Sequence, residues 1–167
     1  MNENAAATGN NHDGVFVDYD NDGDLDHAVT RQGTTNVLLR NSTNNTNYLK
    51  VRIIGAGDDA TNRAGIGTRV ELYNAAGTTL LARRDVGMAR GFGGSEPLWL
   101  HFGGLNQNTT YTLKVYFLSG TQTVSVTPAT ASTTIGATTI QRMLTVTEQP
   151  AEDMEIIRWV EVDPLQP

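Results

Sequence analysis

The sequence predicts an all-β fold, a β-sandwich-like domain with an N-terminal hairpin, and three observations carry that prediction. Apolar and polar residues alternate over Tyr48 to Ile54, Thr68 to Tyr73 and Tyr111 to Leu118, the period of strands with one buried face. Turn signals such as Gly55-Ala56-Gly57-Asp58-Asp59, Asn74-Ala75-Ala76-Gly77 and Ser119-Gly120 separate the runs at regular spacing, as in sandwiches. Cysteine is absent, and 167 residues suit one domain with a sizeable core and no covalent staple.

Taken in order, residues 1–12 have little to bury and are expected to form a flexible leader. Val15-Phe16-Val17 and His27-Ala28-Val29-Thr30 read as the strands of a hairpin, and Asn36 to Arg40 as a further strand. Asn41 to Asn47 is a polar loop; its acceptor-type sequons at Asn41 and Asn44, and another at Asn108, read as loop composition. In Tyr48 to Ile54, Leu49, Val51 and Ile53 face a core, while Lys50 and Arg52 are expected to face water. Gly65 and Gly67 allow close backbone packing or a bulge before a strand in which Val70 and Leu72 point inward. Strands follow at Thr78 to Val86, Leu98 to Phe102 and Tyr111 to Leu118, the last with Leu113, Val115 and Phe117 on one face. Ser119-Gly120 turns the chain into Thr121 to Thr127, Pro128 to Gly136 is a polar connection, and Thr138 to Thr147 reads as one more strand. Residues 150–162 fit two patterns: Pro150 with Glu152, Asp153 and Glu155 suits a helix start, whereas Ile156, Arg158, Val160 and Val162 alternate as a strand. The strand is expected, because the rest of the domain is β.

Charge is concentrated rather than spread. Asp18-Tyr19-Asp20-Asn21-Asp22-Gly23-Asp24-Leu25-Asp26 holds five carboxylates in nine residues, without a base. Net charge is −6, and residues 148–163 add six acids against Arg158 alone. The remainder carries seven acids and eleven bases, a weaker basic footprint than nucleic-acid binding requires. Arg63, Arg69, Arg83, Arg84 and Arg90 gather in the middle, as a solvated face or as partners for an acidic ligand. No apolar run approaches the roughly 20 residues that span a bilayer, so no membrane insertion is expected. The N-terminus also lacks a signal peptide's apolar segment, so an exported protein would need a signal outside this sequence.

The acidic run asks for a cation. Carboxylates at loop positions one, three and five, Asp18, Asp20 and Asp22, can converge if the chain turns just after them, and Gly23 permits that turn. Asp24 would offer its backbone carbonyl, and Asp26 its carboxylate, directly or through water. Oxygen-only ligands in a flexible loop favour calcium over zinc or copper. An EF-hand would need Glu at position twelve and flanking helices; Val29 stands there, between strand-like flanks. The alternative is a metal-free Asp-rich turn, in which the like charges repel.

The run Gly14 to Val29, followed by Asn36-Val37-Leu38-Leu39-Arg40-Asn41, resembles one FG-GAP/VCBS repeat, a β-propeller blade with a calcium loop between its strands. Asn62-Arg63-Ala64-Gly65-Ile66-Gly67-Thr68-Arg69-Val70, Gly91-Phe92-Gly93 and His101-Phe102-Gly103 resemble the ASPIC/UnbV domain that commonly follows such repeats in secreted proteins. The family's His-Phe-Gly-Leu-Gly is here His101-Phe102-Gly103-Gly104-Leu105, and its Trp-Pro-Ser-Gly turn is Phe117-Leu118-Ser119-Gly120. A lone blade cannot bury both faces, so either the chain is a piece of a longer protein or the repeat joins the sandwich as an extra hairpin. The second is expected, giving a leader at 1–12, a calcium-loop hairpin at 13–47 and a sandwich at 48–163 packed as one unit. The resemblance implies an extracellular or cell-surface module for adhesion or for recognition of a protein or glycan.

Gly87 to Gly94 is Gly-rich but lacks the P-loop Lys-Ser/Thr and the Rossmann triplet. Arg90, Phe92 and Trp99 are candidates for ligand contact, since aromatic faces bind sugars and peptides at low entropic cost; the rings could equally be core. A catalytic role is not expected. There is no Gly-x-Ser-x-Gly elbow, and His12, His27 and His101 lack zinc spacing. His101 is expected to bond a neighbouring loop. Carboxylates holding a cation have lowered pKa values, the opposite of what a glycosidase acid needs. The other readings are a carbohydrate-binding accessory module of an enzyme and a calcium-stiffened spacer; oligomeric state is left open.

Overall fold

A computed structural model describes residues 10–43, 46–88 and 94–149. Among the described residues the regular structure is nearly all strand, as expected. It runs β1 (Asn10–Val17), β2 (Asp26–Gln32), β3 (Val37–Leu39), β4 (Tyr48–Ile54), β5 (Arg69–Tyr73), β6 (Leu80–Asp85), β7 (Trp99–Gly103), β8 (Tyr111–Phe117) and β9 (Gly120–Val126). A 3₁₀ turn at Pro128–Thr130 precedes β10 (Ser132–Ile135), β11 (Thr138–Gln141) and β12 (Met143–Thr147).

The alternating residues of β4, β5 and β8 build the core. Two sheets, ordered β12-β4-β7 and β6-β5-β8-β9, supply its apolar face. Leu49, Val51 and Ile53 of β4 cluster with Val70 and Leu72 of β5, Leu100 and Phe102 of β7, and Leu113, Val115 and Phe117 of β8. Strand β12 runs parallel to β4, with Met143 opposite Lys50, and β7 runs antiparallel to β4, with His101 opposite Lys50. Gly65 sits where β4 passes closely: φ is +70°, and a Cβ there would lie 2.7 Å from Ile53 Cγ2.

The N-terminal hairpin forms its own sheet, ordered β1-β2-β3. It closes at the Val17–Asp26 pair, so the acidic residues occupy the connecting loop. Strands β10 and β11 form a separate two-stranded ribbon.

Four expectations are corrected. Lys50 does not face water: it is 1% exposed. The second face of β4 meets the acidic loop instead of solvent, and alternation alone cannot distinguish those surroundings. Thr138 to Thr147 is two strands, not one, because Arg142 takes a left-handed φ of 55°, its N–H donating to Ala131 and its carbonyl accepting from the Lys50 N–H. Pro128 to Gly136 is not merely a connection, since it contains the 3₁₀ turn and β10. The leader is shorter than residues 1–12, because Asn10 and Asn11 already pair with Gln32 and Arg31. The sequon at Asn44, the rest of the leader and residues 150–162 lie outside the described residues. Among the described residues no helix is long and apolar enough to cross a membrane.

The end of β12 is fastened by a buried carboxylate. Glu148 accepts from Ala56 N, Thr61 N, Thr61 Oγ1, Ser119 N and Ser119 Oγ, at 2.6 to 3.3 Å. Burial pushes its pKa up, but the Ser119, Ala56 and Thr61 donors outweigh burial and hold it below the ordinary carboxylate value. Since the folded value is the lower one, the contribution is complete above about pH 4.5, the ordinary value, and is lost as pH falls through the folded value. Glu148→Gln should therefore destabilise by about 2 kcal/mol near neutral pH and flatten the acid limb of the stability profile. Urea midpoints between pH 3 and pH 7 check both effects; parallel acid limbs would contradict this role.

Candidate metal centre

Residues 18–26 turn through two left-handed positions, Asn21 at φ 62° and Gly23 at φ 100°. The sequence pointed to the second; Asn also tolerates this region, so the first is equally unforced. The turn brings Asp18, Asp20 and Asp22 together, with one oxygen from each lying within 4.8 Å of the others. Backbone donors orient all three. Asp18 Oδ2 accepts from Gly23 N at 3.1 Å, Asp20 Oδ1 from Asp22 N at 3.3 Å, and Asp22 Oδ1 from Asp24 N at 3.1 Å.

That leaves a second oxygen on each residue, and these three atoms are buried without a hydrogen-bond partner: Asp18 Oδ1, Asp20 Oδ2 and Asp22 Oδ2. Arg40, next after β3, makes ion-pair contact with two of them, its Nε 2.8 Å from Asp20 Oδ2 and a terminal nitrogen 3.5 Å from Asp22 Oδ2. Asp18 Oδ1 has no hydrogen-bond partner, though its sister oxygen is paired with Lys50. A buried anionic oxygen left in this way is costly, and an all-oxygen donor set suits a hard divalent cation.

Two sandwich residues hold the loop from below. Met143, Lys50 and His101 form one row across β12, β4 and β7, on the face opposite the core. From that row the Lys50 ammonium donates to Asp18 Oδ2 at 2.7 Å and to Asn21 Oδ1 at 2.9 Å. His101 Nε2 lies 3.1 Å from the Gly23 carbonyl, the loop contact expected of it. A carbonyl only accepts, so His101 carries its proton on Nε2. Burial lowers its pKa, partly opposed by the Gly23 bond and the Asp18 charge, and its ring stacks on Tyr48 at 5.6 Å.

The other two acids do different work from the converging three. Asp26 Oδ1 accepts from Asn41 N at 2.8 Å and Oδ2 from Tyr19 N at 3.2 Å, so its carboxylate clamps the loop to the segment after β3. Asp24 is buried, with its N–H turned to Asp22. Of the ligand-contact candidates, Trp99 is 38% exposed, which removes it from the core. It stands between a cleft of about 420 Å³ shared with Phe16, Arg84 and Glu96 and one of about 260 Å³ shared with Tyr19 and Ile140. Arg90 and Phe92 lie outside the described residues. Among the central arginines, Arg83 pairs with Asp85 and Arg69 with Glu71, and Arg69 covers the Tyr116 ring.

Sequence reasoning missed Lys50 and Arg40. Nothing in the sequence separated Lys50 from Arg52, the other cation on the same face of its strand; the one signal for Arg40 was a base immediately after the hairpin's last strand.

Compared with known proteins, the chain matches the family model described as ASPIC and UnbV over residues 57–152, more than half of its length. No curated protein matches it.

Lys50→Met should cost about 3–5 kcal/mol with calcium chelated, because it strands the buried Asp18 charge. The double variant Asp18→Asn, Lys50→Met should recover much of that loss. Chemical denaturation of the four members of the cycle measures the coupling; additive losses would show that the pair does not anchor the loop.

Proposed function

The chain belongs to the ASPIC and UnbV family, and we propose that it is a non-catalytic, extracellular calcium-binding β module for recognition of a protein or glycan. One observation carries the metal reading. One oxygen from each of Asp18, Asp20 and Asp22 lies within 4.8 Å of the others, and each of these residues carries one buried oxygen without a hydrogen-bond partner while a loop N–H engages its other oxygen. Asp18, Asp20 and Asp22 would hold the ion by side chain, with the Asp24 carbonyl and Asp26 completing the shell directly or through water. Calcium is favoured because every donor is oxygen and the loop is short and turned. Its contribution is charge neutralisation and stiffening, not chemistry.

In this reading residues 13–47 are an FG-GAP/VCBS-type hairpin taken up by the sandwich of residues 48–163 as one unit. The ties from Lys50 and His101 to the loop support it. Recognition is proposed by analogy with the family's setting in secreted proteins, not by deduction from residues. Trp99, partly exposed at a cleft that also exposes Arg84 and Glu96, supports a second form of the proposal: a carbohydrate-binding accessory module. A row of aromatic contacts would then retain the protein on insoluble glycans, and Trp99→Ala would abolish retention. A spacer would bind none of them, though calcium would still stiffen it.

The test of the metal reading is thermal unfolding in millimolar calcium and in EDTA, for wild type and Asp22→Ala, with magnesium controlling for screening. Calcium should raise the melting temperature of the wild type by several degrees, as expected for a ligand well above its Kd, and leave the variant unchanged. Equal melting of the wild type in all three conditions would remove the calcium site from the proposal.

A further inference from the structure

Arg40 stands in an unusual relation to the acidic loop. Each of the three converging carboxylates has one oxygen held by a loop N–H group at 3.1 to 3.3 Å, called the inward oxygen below. The second oxygens, Asp18 Oδ1, Asp20 Oδ2 and Asp22 Oδ2, are buried without a hydrogen-bond partner and are called the outward oxygens below. The Arg40 side chain touches two of these and reaches them from solvent, its side chain being 54% exposed while theirs are 21% and 16% exposed. Lys50, by contrast, is bonded from beneath to Asp18 Oδ2, the inward oxygen, with both side chains at most 2% exposed.

The two cations therefore differ in kind. Lys50 is fixed: it leaves the outward oxygens free, and its removal would strand a buried charge. Arg40 contacts two of the outward oxygens, Asp20 Oδ2 and Asp22 Oδ2, through a side chain that is half exposed to water. The three carboxylates with Lys50 in place carry a formal charge of −2, which one divalent cation neutralises; with Arg40 also in place only −1 remains. Two cations a few ångströms apart on shared oxygens repel, so metal and guanidinium compete for them.

We propose that Arg40 is the metal site's resident counter-ion, covering the Asp20 and Asp22 oxygens until a divalent cation displaces it. This rests on the metal reading above. The displacement has a structural consequence, since Arg40 directly follows β3 and its neighbour Asn41 donates to the buried Asp26 carboxylate. Metal occupancy is thus coupled to the β2-β3 edge of the hairpin sheet, and Arg40 sets the affinity by competition.

The experiment titrates calcium into the full chain, wild type, Arg40→Met and Arg40→Lys, by calorimetry at two salt concentrations, while NMR follows the Arg40 Nε–H resonance of the wild type. Arg40→Met should bind calcium roughly two- to fivefold more tightly, as removal of an exposed competing ion pair predicts. The advantage should shrink at high salt, where exposed charges are screened. Arg40→Lys should fall between the two, and the Nε–H resonance should shift as calcium is added. Equal or weaker binding by Arg40→Met, with the wild type still binding, overturns the competition alone. Absence of calcium binding in all three proteins overturns the metal reading together with it. If Arg40→Met is unfolded, an unmoved Nε–H resonance in calcium-saturated wild type is the result that rejects displacement.

Discussion

Asp18 and Lys50 meet at 2.7 Å with almost no exposure to water, and this pair sets where the hairpin lies against the sandwich. Such pairs contribute little net stability, since desolvating both charges offsets their attraction, but breaking one is expensive. The geometry follows. Lys50 projects from the middle of the central strand β4, flanked by Met143 and His101 on its neighbours. An acidic loop that failed to reach it would leave an ammonium buried against an apolar sheet. The His101 bond to the Gly23 carbonyl fixes the same loop at a second point, so the sheet of β1, β2 and β3 has a defined seat although its backbone ladder is separate.

With its underside held, the loop is polarised. Backbone N–H groups take one oxygen of each converging carboxylate, the Asp26 carboxylate ties the loop to Asn41, and the second oxygens are left without hydrogen bonds, two of them in ion-pair contact with Arg40. Negative charge with oriented lone pairs and an incomplete set of donors is what a hard cation needs. The same arrangement places Trp99 and its clefts directly beside the loop, so occupancy by a metal and binding of a ligand at Trp99 would share Asp18 as a common wall.

Much of the sandwich was legible because its signal is local. Leu113, Val115 and Phe117 alternate with polar residues and are buried as their spacing requires, and the loop contact of His101 followed from its place in His101-Phe102-Gly103. What escaped depends on residues distant in sequence. Lys50 looks solvent-facing by period, and only the arrival of a loop from residues 18–26 makes its face an interior one. Glu148 gathers donors from Ala56, Thr61 and Ser119, which no window around it contains. The break at Arg142 is a third case: Thr138 to Thr147 is uniformly strand-like in composition, and its division comes from two different pairing partners, β10 and β4. In the acidic run the sequence named the three converging residues, but the roles of Asp26 and Arg40 depend on where the chain returns after β3.

The central claim is that the outward oxygens of Asp18, Asp20 and Asp22 hold a divalent cation above the Lys50 and His101 anchors. A crystal structure grown with calcium tests it most directly, with anomalous scattering from a terbium-exchanged crystal to locate the ion. The account predicts a peak contacting those three residues at about 2.3–2.6 Å in the calcium crystal, with Arg40 turned into solvent and the Lys50–Asp18 pair intact. A loop of the same conformation with no peak, or an ion bound elsewhere on the molecule, would contradict it.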